Sequence, residues 1–502
     1  MSSEAPKGPV HGQDASTVPA WQPPRLETQP LVGASPQLEK ILSDARGKIV
    51  PRAVKGHFDR IRNALIWITQ ILFFGLPWLQ WNDRQAVLFD LGARKFYLFG
   101  MVLWPQDIIY LAVLLIISAY ALFLFTAIAG RLFCGYACPQ SVYTKILMWF
   151  EQKIEGDRVA RIRLNESPWT LRKFRIKFTK HAVWVLFSLW TGLTFIGYFA
   201  PIRELPSEII HFNLGPWQWG WFLLYSAATL SFAGFLRESI CRYACPYARF
   251  QSVMVDEDTF VVSYDYVRGE PRGPRSKKVD HKAEGKGDCI NCSLCVQVCP
   301  TGIDIREGLQ YMCIGCGACI DACNEVMDKM GYERDLIRYT SGRAISERLT
   351  QDQARKRMFR PRVLIYISLL VIVSLALAWS MAMRDTLKMN IIRDRGLLGR
   401  EVAGGLIENV YRLQLVNAAE EPLTIQMSAD GIAGIKIMRA DNGRDTIVLP
   451  ASSTEMVPVV VQIPYESGLS SGMHEIQIRA DAIEGQSRSA HAEDSSNFYI
   501  PQ

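Results

Sequence analysis

All 12 cysteines of this 502-residue chain fall in motifs whose spacing suits metal or redox chemistry. Eight of them lie between residues 289 and 323, in two copies of the pattern C-x2-C-x2-C-x3-C. In such a pair, three closely spaced thiolates of one copy and the last cysteine of the other hold one iron–sulfur cube. The spacing therefore predicts two [4Fe–4S] clusters, the first held by Cys289, Cys292, Cys295 and Cys323 and the second by Cys313, Cys316, Cys319 and Cys299.

The residue types within these copies fit that chemistry. Soft thiolates suit iron–sulfur clusters, and two-residue gaps turn three sulfurs toward one cube while backbone amides point at its sulfides. Gly315, Gly317 and Ala318 are small and let the backbone come close. Zinc favours two ligand pairs over this triple spacing, and a disulfide framework is disfavoured on a cytoplasmic side.

The other four cysteines form a repeat whose copies lie 107 residues apart, Cys134-Gly-Tyr-Ala-Cys138-Pro and Cys241-Arg-Tyr-Ala-Cys245-Pro. The proline that ends each motif suits the first position of a new helix. Cys138 and Cys245 are therefore expected at helix N-termini. There the helix dipole and nearby arginines lower a thiol pKa.

Each cysteine pair is expected one helical turn apart. Two such thiolates can hold a soft metal such as Cu(I), or they can cycle between dithiol and disulfide. The structural alternative is ordinary buried cysteine. A repeat of two pairs at matched positions is hard to ascribe to packing alone.

Hydropathy identifies the elements that position these motifs. About 20 apolar residues suffice to cross a bilayer core, and five segments reach that length. We predict membrane spans at Asn63–Trp81, Ile108–Ala129, Ala182–Ala200, Trp217–Leu236 and Val363–Met383. Because each C-x-Tyr-Ala-Cys-Pro motif follows the second helix of a two-helix hairpin, the membrane part is expected to be a duplicated hairpin. The stretch Ala86–Trp104 carries charges near its middle and is predicted to be an interfacial loop.

Basic residues in the short loops predict the orientation. They crowd the segment before the first span and the connection between the second and third spans, whereas Arg203 stands alone between the third and fourth. By the positive-inside rule the N-terminus and the cysteine-rich loop are cytoplasmic, and the region after the fifth span is on the opposite side.

The predicted domain order follows from these elements. Residues 390–502 contain no cysteine and alternate as half-buried strands do, which predicts an immunoglobulin-like β-sandwich. The remaining predicted boundaries are 1–45 for a disordered tail, 46–260 for a membrane domain of four helices, 261–345 for the ferredoxin-type insert and 346–389 for the fifth helix with its flanks.

Composition and missing motifs exclude other classes. The net charge of +7 and hydrophobic content of 49% exclude a disordered or collagen-like chain, and the mild basic excess does not by itself imply nucleic acid. His57, His181 and His211 lie near the predicted spans but none lies mid-span, which disfavours a transmembrane haem. No G-x-G-x-x-G motif or P-loop supports nucleotide chemistry.

Together, the five predicted spans, the two cysteine–proline motifs, the ferredoxin pair and the terminal sandwich resemble the CcoG/FixG/RdxA family of accessory proteins for cbb(3)-type cytochrome c oxidase. The resemblance spans roughly residues 45 to 500. It implies an assembly factor of the bacterial inner membrane that reduces Cu(II) to Cu(I) for the oxidase's copper centre. The residues carried over as copper or electron-relay sites are Cys134, Cys138, Cys241 and Cys245.

The partners that the resemblance implies are the membrane and the oxidase or its copper-delivery factors. The electron donor is open between a soluble ferredoxin, a reductase and quinol, and a homodimer is one arrangement left open. Two other functions remain as alternatives. One is a quinol-linked polyferredoxin subunit, and the other is a redox sensor or docking protein.

Overall fold

The computed structural model describes residues 49–82, 84–277, 282–393, 399–402, 405–465, 470–483 and 490–501, without the side chain of Ser252. The predicted disordered tail at residues 1–45 lies outside these ranges. By their internal contacts the residues form two compact units. The described residues of Met1–Trp78 and Val113–Ser374 belong to one unit, and those of Leu79–Ala112 and Leu375–Gln502 belong to the other.

Helices make up most of the first unit. In chain order the α-helices are α1 His57–Gly75, α2 Ile108–Ala129, α3 Leu132–Tyr136, α4 Pro139–Glu155, α5 Arg158–Glu166, α6 Leu171–Ile196, α7 Leu205–Ile210, α8 Pro216–Thr229, α9 Pro246–Met254, α10 Tyr266–Gly269, α11 Leu294–Gln297, α12 Ala318–Met330, α13 Gly342–Ser346, α14 Gln351–Met358 and α15 Pro361–Ala382. Leu230–Leu236, which prolongs α8, and Ile240–Ala244 are π-helical. Short 3-10 helices lie at Leu76–Trp78, Pro105–Asp107 and Ile305–Glu307.

Three helices of the described residues are long and apolar enough to cross a membrane. They are Pro105–Ala129, Pro216–Leu236 and Pro361–Ala382, at the second, fourth and fifth predicted spans. Helices α1 and α6 also form at the first and third predicted spans. Helix α1 begins with charged residues, and α6 begins with a basic stretch that extends to Lys180, so neither meets the same length and hydropathy criterion. Three spans are thus supported, while the count of five and the duplicated hairpin stay predictions.

Within the part of the chain that the structure describes, strands form five small sheets. In chain order they are β1 Gln80–Trp81, β2 Arg84–Gln85, β3 Val87–Asp90, β4 Lys95–Leu98, β5 Met101–Leu103, β6 Val261–Tyr264, β7 Ile337–Thr340, β8 Leu387–Arg393, β9 Arg400–Val402, β10 Leu406–Asn417, β11 Leu423–Asp430, β12 Lys436–Arg439, β13 Thr446–Leu449, β14 Thr454–Pro464, β15 Gly472–Ala482 and β16 His491–Ile500. All pairings are antiparallel.

The C-terminal domain is a sandwich of two sheets, with strand orders β12-β14-β10-β8 and β13-β11-β15-β16. Alternation along the strands builds its core, because residues two apart share a face of a sheet. Along β14, for example, Val457, Val459, Val461 and Ile463 are all buried. The immunoglobulin-like prediction is confirmed, and the structure adds strands β8, β9, β13 and β16, which the alternation did not single out.

The stretch Ala86–Trp104, which the sequence predicted to be an interfacial loop, forms the antiparallel sheet β3-β4-β5. Asp90 is opposite Lys95 in the register of β3 and β4. The Asp90 carboxylate accepts from the Ala93 N–H at 2.8 Å, and the Lys95 ammonium donates to the carbonyl of Ser452 at 2.9 Å. Val102 and Trp104 are buried against Val416 of the sandwich. The segment becomes a sheet because the sandwich supplies an apolar surface that the local sequence does not reveal.

Candidate metal centres

The first predicted cysteine quartet lines one cavity. Cys289 and Cys292 come from the loop leading into α11, Cys295 lies in α11, and Cys323 comes from α12. Burial, with the neighbouring Cys295 and Cys289 thiols, raises the pKa of Cys323 to about 12. Without metal the Cys323 thiol is therefore protonated, and metal binding must displace its proton.

The second predicted quartet lines a second cavity, formed by Cys299, Cys313, Cys316 and Cys319 together with the Gly315–Ala318 backbone. The N–H of Gly315 donates to Cys313 Sγ at 3.4 Å, as backbone amides do toward cluster sulfurs. Gly315 has φ +63° and Gly317 has φ +73°, so glycine suits both positions. Four thiols and a close backbone line this cavity, and these residue types suit an iron–sulfur cube held by the four predicted ligands.

A compact core holds both quartets in place. Strands β6 and β7 pair next to them, and α12 carries Cys319 and Cys323. Ile320, Met327 and Leu336 are almost fully buried in the cluster of apolar residues that surrounds the cysteines. Only Cys292 of the eight is exposed, so the first quartet has one edge at the surface.

The two cysteine–proline motifs have the predicted local structure. Cys134 lies in α3 and Cys241 in the π-helical turn Ile240–Ala244. Cys138 is the N-cap of α4 and Cys245 is the N-cap of α9, and the following proline is the first helical residue in both. Both second cysteines are thus at helix N-termini, as predicted.

Hydrogen bonds between the two motifs bring them together. Before the first motif, the Arg131 guanidinium donates to the carbonyl of Ala248 on α9 at 2.8 Å. Gln251, also on α9, donates to the carbonyl of Gly130. Its amide oxygen lies 3.9 Å from Cys134 Sγ. The segment before the first motif is therefore hydrogen-bonded to α9, the helix after the second motif.

The reverse connection is also present. Gln140, on the helix after the first motif, donates to the carbonyls of Phe232 at 2.8 Å and Arg237 at 3.0 Å, both before the second motif. A residue next to each motif is thus hydrogen-bonded to the segment next to the other motif. As a result the Cys138, Cys241 and Cys245 thiols all act electrostatically on Cys134. We call these four cysteines the four-thiol centre.

Burial raises the thiol pKa at Cys134, Cys138 and Cys241. It raises the pKa of Cys134 to about 12 and that of Cys241 to about 11, although Arg131 opposes the shift in both. The pKa of Cys138 is also raised by burial, against backbone N–H groups of Ser141 and Gln140 that lower it. The expectation of a lowered thiol pKa at a helix N-terminus is wrong for Cys138, because desolvation outweighs the backbone N–H groups of that helix N-terminus.

The first motif packs directly on the loop of the second quartet. A Cβ at Gly135 would lie 2.8 Å from the carbonyl oxygen of Ile314 and 3.1 Å from the Cα of Cys316, so only glycine fits without a shift. Tyr136 Oη donates to the carbonyl of Cys316 at 3.3 Å. The four-thiol centre and the second quartet are therefore joined by backbone contact.

Sequence reasoning singled out the cysteines but not Gly135, Tyr136 or Gln251. A signal for the tyrosine was present, since both motifs contain the same Tyr-Ala pair before the second cysteine. The sequence contains no such signal for Gly135 or Gln251, because their roles depend on contacts with distant segments.

A buried ionic network supports the same region. Glu151 on α4 pairs with Arg161 at 2.9 Å and with Arg237 at 3.0 Å. Lys180 approaches Glu151 at 3.5 Å and Glu155 at 3.0 Å. Since Arg237 lies four residues before Cys241, the network ties the second motif to the helix that follows the first.

The predicted histidines take structural contacts. His181 stacks on Phe235, and its Nδ1 is 2.8 Å from the carbonyl of Lys177. Among the described residues, no three Cys, His, Asp or Glu side chains are arranged to hold a single metal ion. The ferredoxin quartets are included, and their predicted ligand is a multi-iron cube rather than one ion.

Fold and site define a membrane protein that combines an iron–sulfur ferredoxin domain with an immunoglobulin-like domain. Family models match accordingly: a 4Fe-4S dicluster domain at residues 236–342, a 4Fe-4S binding domain at 111–156 and the IG-like fold at the C-terminus of FixG at 377–501. The chain belongs to the FixG/RdxA family, whose known members include the relatives below.

Three relatives establish that membership. Nitrogen fixation protein FixG of Rhizobium meliloti (strain 1021) is 36% identical over 459 residues, which cover 84% of this chain and 88% of the relative. Protein RdxA of Cereibacter sphaeroides is 39% identical over 454 residues, covering 88% and 94%. Protein RdxB of the same organism is 40% identical over 417 residues, covering 82% and 87%. The protein is thus an iron–sulfur electron-transfer protein of this family.

Proposed function

We propose that this protein assists assembly of a cbb(3)-type cytochrome c oxidase by reducing Cu(II) to Cu(I) for the oxidase's copper centre. The observation that carries the proposal is the contact of Gly135 with Ile314 and Cys316. It joins a soft four-thiol centre to a predicted cluster site through backbone atoms. Electron transfer between them then needs no movement of either part.

The chain's own residues provide the binding sites. The two ferredoxin quartets fit [4Fe–4S] clusters, which take up and release single electrons when bound. Cys292 leaves the first quartet open to a donor protein at the surface. Apolar residues such as Ile320 and Met327 keep water away from the sulfurs on the inner side.

Copper chemistry suits the four-thiol centre. Reduction of one Cu(II) consumes one electron, which an external one-electron donor must supply through the ferredoxin domain. Sulfur ligands favour Cu(I) over Cu(II). The thiols of the four-thiol centre, where the electron would pass to copper, therefore also favour the reduced product. The four cysteines are thus the residues at which we place reduction.

The proposed topology puts this chemistry on the cytoplasmic side of the bacterial inner membrane. Basic residues crowd the connection that contains α5 and the start of α6, which supports a cytoplasmic location for both cysteine motifs. The sandwich follows α15 and is then periplasmic. There it is available to the oxidase or to its copper-delivery factors.

The test uses the full chain, purified anaerobically and reduced with dithionite. After excess dithionite is removed, Cu(II) is added together with a Cu(I)-specific chelator. We expect the visible absorbance of the reduced clusters to change as the Cu(I) chelate forms. Clusters that stay reduced in the presence of Cu(II) would contradict the proposal.

Two variants separate the parts. Cys292→Ser is expected to lower the yield of Cu(I) by removing a ferredoxin ligand. Cys138→Ser with Cys245→Ser is expected to slow copper reduction while the ferredoxin clusters still accept electrons. If only the ferredoxin variant has an effect, the four-thiol centre is structural.

In cells, deletion of the gene for this protein should lower oxidase activity. If added copper restores the oxidase activity, the defect is connected to copper supply.

A further inference from the structure

A strongly basic segment lies directly before α15. The stretch Arg355-Lys-Arg-Met-Phe-Arg-Pro-Arg362 contains five basic residues and no acidic residue, and we call it the basic segment. It begins in α14 and ends in the first turn of α15, one of the three supported spans. Clusters of Lys and Arg beside a span are attracted to the negative charge of anionic lipids.

Arg360 places the basic segment at the membrane boundary. Its guanidinium donates to the carbonyl of Ala127 at 2.9 Å and pairs with Asp256 at 2.8 Å. Ala127 lies in the last turn of α2, which is another supported span, and Arg360 directly precedes α15. The end of one span and the start of the other therefore meet at the same membrane face.

Two cations of the basic segment have no counter-ion among the described residues. The other three have acidic partners, namely Arg357 with Glu347, and Arg360 and Arg362 with Asp256. Arg355 and Lys356 are exposed, and no described acidic side chain lies within ion-pair distance of either. Ala354 is the buried residue of α14, so the helix packs through that side and leaves both cations in solvent. Their counter-ion must come from outside the described part of the chain.

Exposed apolar side chains lie at the same boundary. Phe359, within the basic segment, is exposed, and so are Phe250 and Val253 on α9. The ring of Phe250 lies 5.6 Å from that of Phe123 on α2, which places α9 beside that span. Apolar rings combined with Lys and Arg are typical of segments that lie where lipid headgroups meet acyl chains. A phospholipid, which has a phosphate and an apolar tail, fits both features.

We propose that the basic segment binds anionic phospholipids at this membrane face. The charged groups of Arg355 and Lys356 pair with the lipid phosphate, and the Phe359 ring contacts the apolar part of the same lipid layer. Zwitterionic lipids carry a cation of their own, which weakens the pairing. Because the basic segment connects the ferredoxin domain to α15, bound lipid holds this connection at the membrane surface. The site is additional to copper reduction and does not depend on it.

Lipid titration of the full chain tests the site. The protein is purified in detergent, and the binding of phosphatidylglycerol and of phosphatidylcholine is followed by native mass spectrometry. We expect the wild type to bind phosphatidylglycerol more tightly. Each basic residue near an anionic surface strengthens the attraction about fivefold, so Arg355→Gln with Lys356→Gln should weaken phosphatidylglycerol binding roughly 30-fold and leave phosphatidylcholine binding unchanged. Added salt should also weaken wild-type binding, because it screens exposed charges.

Two control variants separate a local site from an effect of net charge. Lys329→Gln with Arg334→Gln removes the same charge from exposed positions of the ferredoxin domain, and this variant should bind phosphatidylglycerol as the wild type does. Arg355→Lys with Lys356→Arg keeps both charges of the basic segment. It should also keep the affinity.

Three results would overturn the proposal. The first is equal wild-type affinity for the two lipids. The second is equal weakening in the two variants that remove charge, which would show a response to net charge alone. The third is unchanged phosphatidylglycerol binding after Arg355→Gln with Lys356→Gln, which would leave the basic segment to an acidic protein. The titration contains neither copper nor reductant, so its outcome is independent of the proposed function.

Discussion

The phenol of Tyr136 donates a hydrogen bond to the backbone carbonyl of Cys316, with 3.3 Å between the two oxygens. Tyr339 donates to the adjacent carbonyl of Gly315. Two tyrosines, one from the membrane-boundary motif and one from β7, therefore hold the loop that carries the second quartet. The hydrogen bond of Tyr136 lies between the predicted cluster site and the four-thiol centre. Its loss should therefore affect both sites.

Tyr136→Phe removes this hydrogen bond and keeps the ring. We expect a loss of about 1 kcal/mol in the free energy of unfolding, the usual net contribution of one such bond. Tyr339→Phe should cause a similar loss. Because both side chains bind neighbouring carbonyls, the loss in the double variant should differ from the sum of the two single losses by at least about 0.5 kcal/mol. Denaturant unfolding in detergent measures all three. Strict additivity would mean that the two tyrosines act independently.

Gly135→Ala places a methyl group 2.8 Å from the Ile314 carbonyl oxygen. Backbone cannot move aside as a flexible side chain can, so we expect a loss of about 1–3 kcal/mol in stability and weaker retention of iron in the second quartet. Gly220→Ala is the matched control, because that helical glycine has nothing within 4 Å of an added Cβ. Equal iron retention in the two variants would show that the close approach is unimportant.

Glu151→Gln removes the charge shared by Arg161 and Arg237. With these cations left buried, we expect a loss of about 3–5 kcal/mol in stability. Glu325→Gln breaks the exposed pair with Lys329 and should change stability by no more than about 0.5 kcal/mol. Thermal unfolding of both variants measures the difference, and similar shifts would contradict a stabilising role for the buried network.

The same carboxylate predicts a dependence on pH. Burial alone would raise the pKa of Glu151, but Arg237, Arg161 and Lys180 outweigh it, and the net direction is down. A carboxylate with a lowered folded-state pKa stabilises above its unfolded value of about 4.3, and this stabilisation disappears as pH falls through the folded value. Unfolding temperatures followed from pH 7 downward should fall less steeply for Glu151→Gln than for the wild type.

Asp107→Asn tests a contact within the second unit. The buried carboxylate accepts from the Trp104 N–H at 3.0 Å and pairs with Arg384 at 2.5 Å and Lys388 at 2.6 Å. Hydrogen bonds to charged groups contribute about 1.5–3 kcal/mol each, so we expect faster proteolysis near residue 384. Asp385→Asn, at an exposed neighbour, should leave the cleavage rate unchanged. Equal rates in both variants would contradict the prediction.

The sequence by itself predicted the eight ferredoxin cysteines and their division into quartets. Ligand spacing of two or three residues is a local property, and the structure places each predicted quartet around its own cavity. The prolines after Cys138 and Cys245 likewise fixed the starts of α4 and α9. Alternation identified the sandwich for the same reason, because its period is set within each strand.

Tertiary structure alone decided what depends on contacts between distant segments. It joined two motifs 107 residues apart into one four-thiol centre and placed Gly135 against Cys316. It also turned the stretch Ala86–Trp104 into a sheet packed on Val416. No local sequence pattern predicts these contacts. The burial of a residue and the close approach of two backbone segments depend on which distant part of the chain packs against them. For the same reason the pKa of the Cys138 thiol is raised where helix position alone predicted a fall.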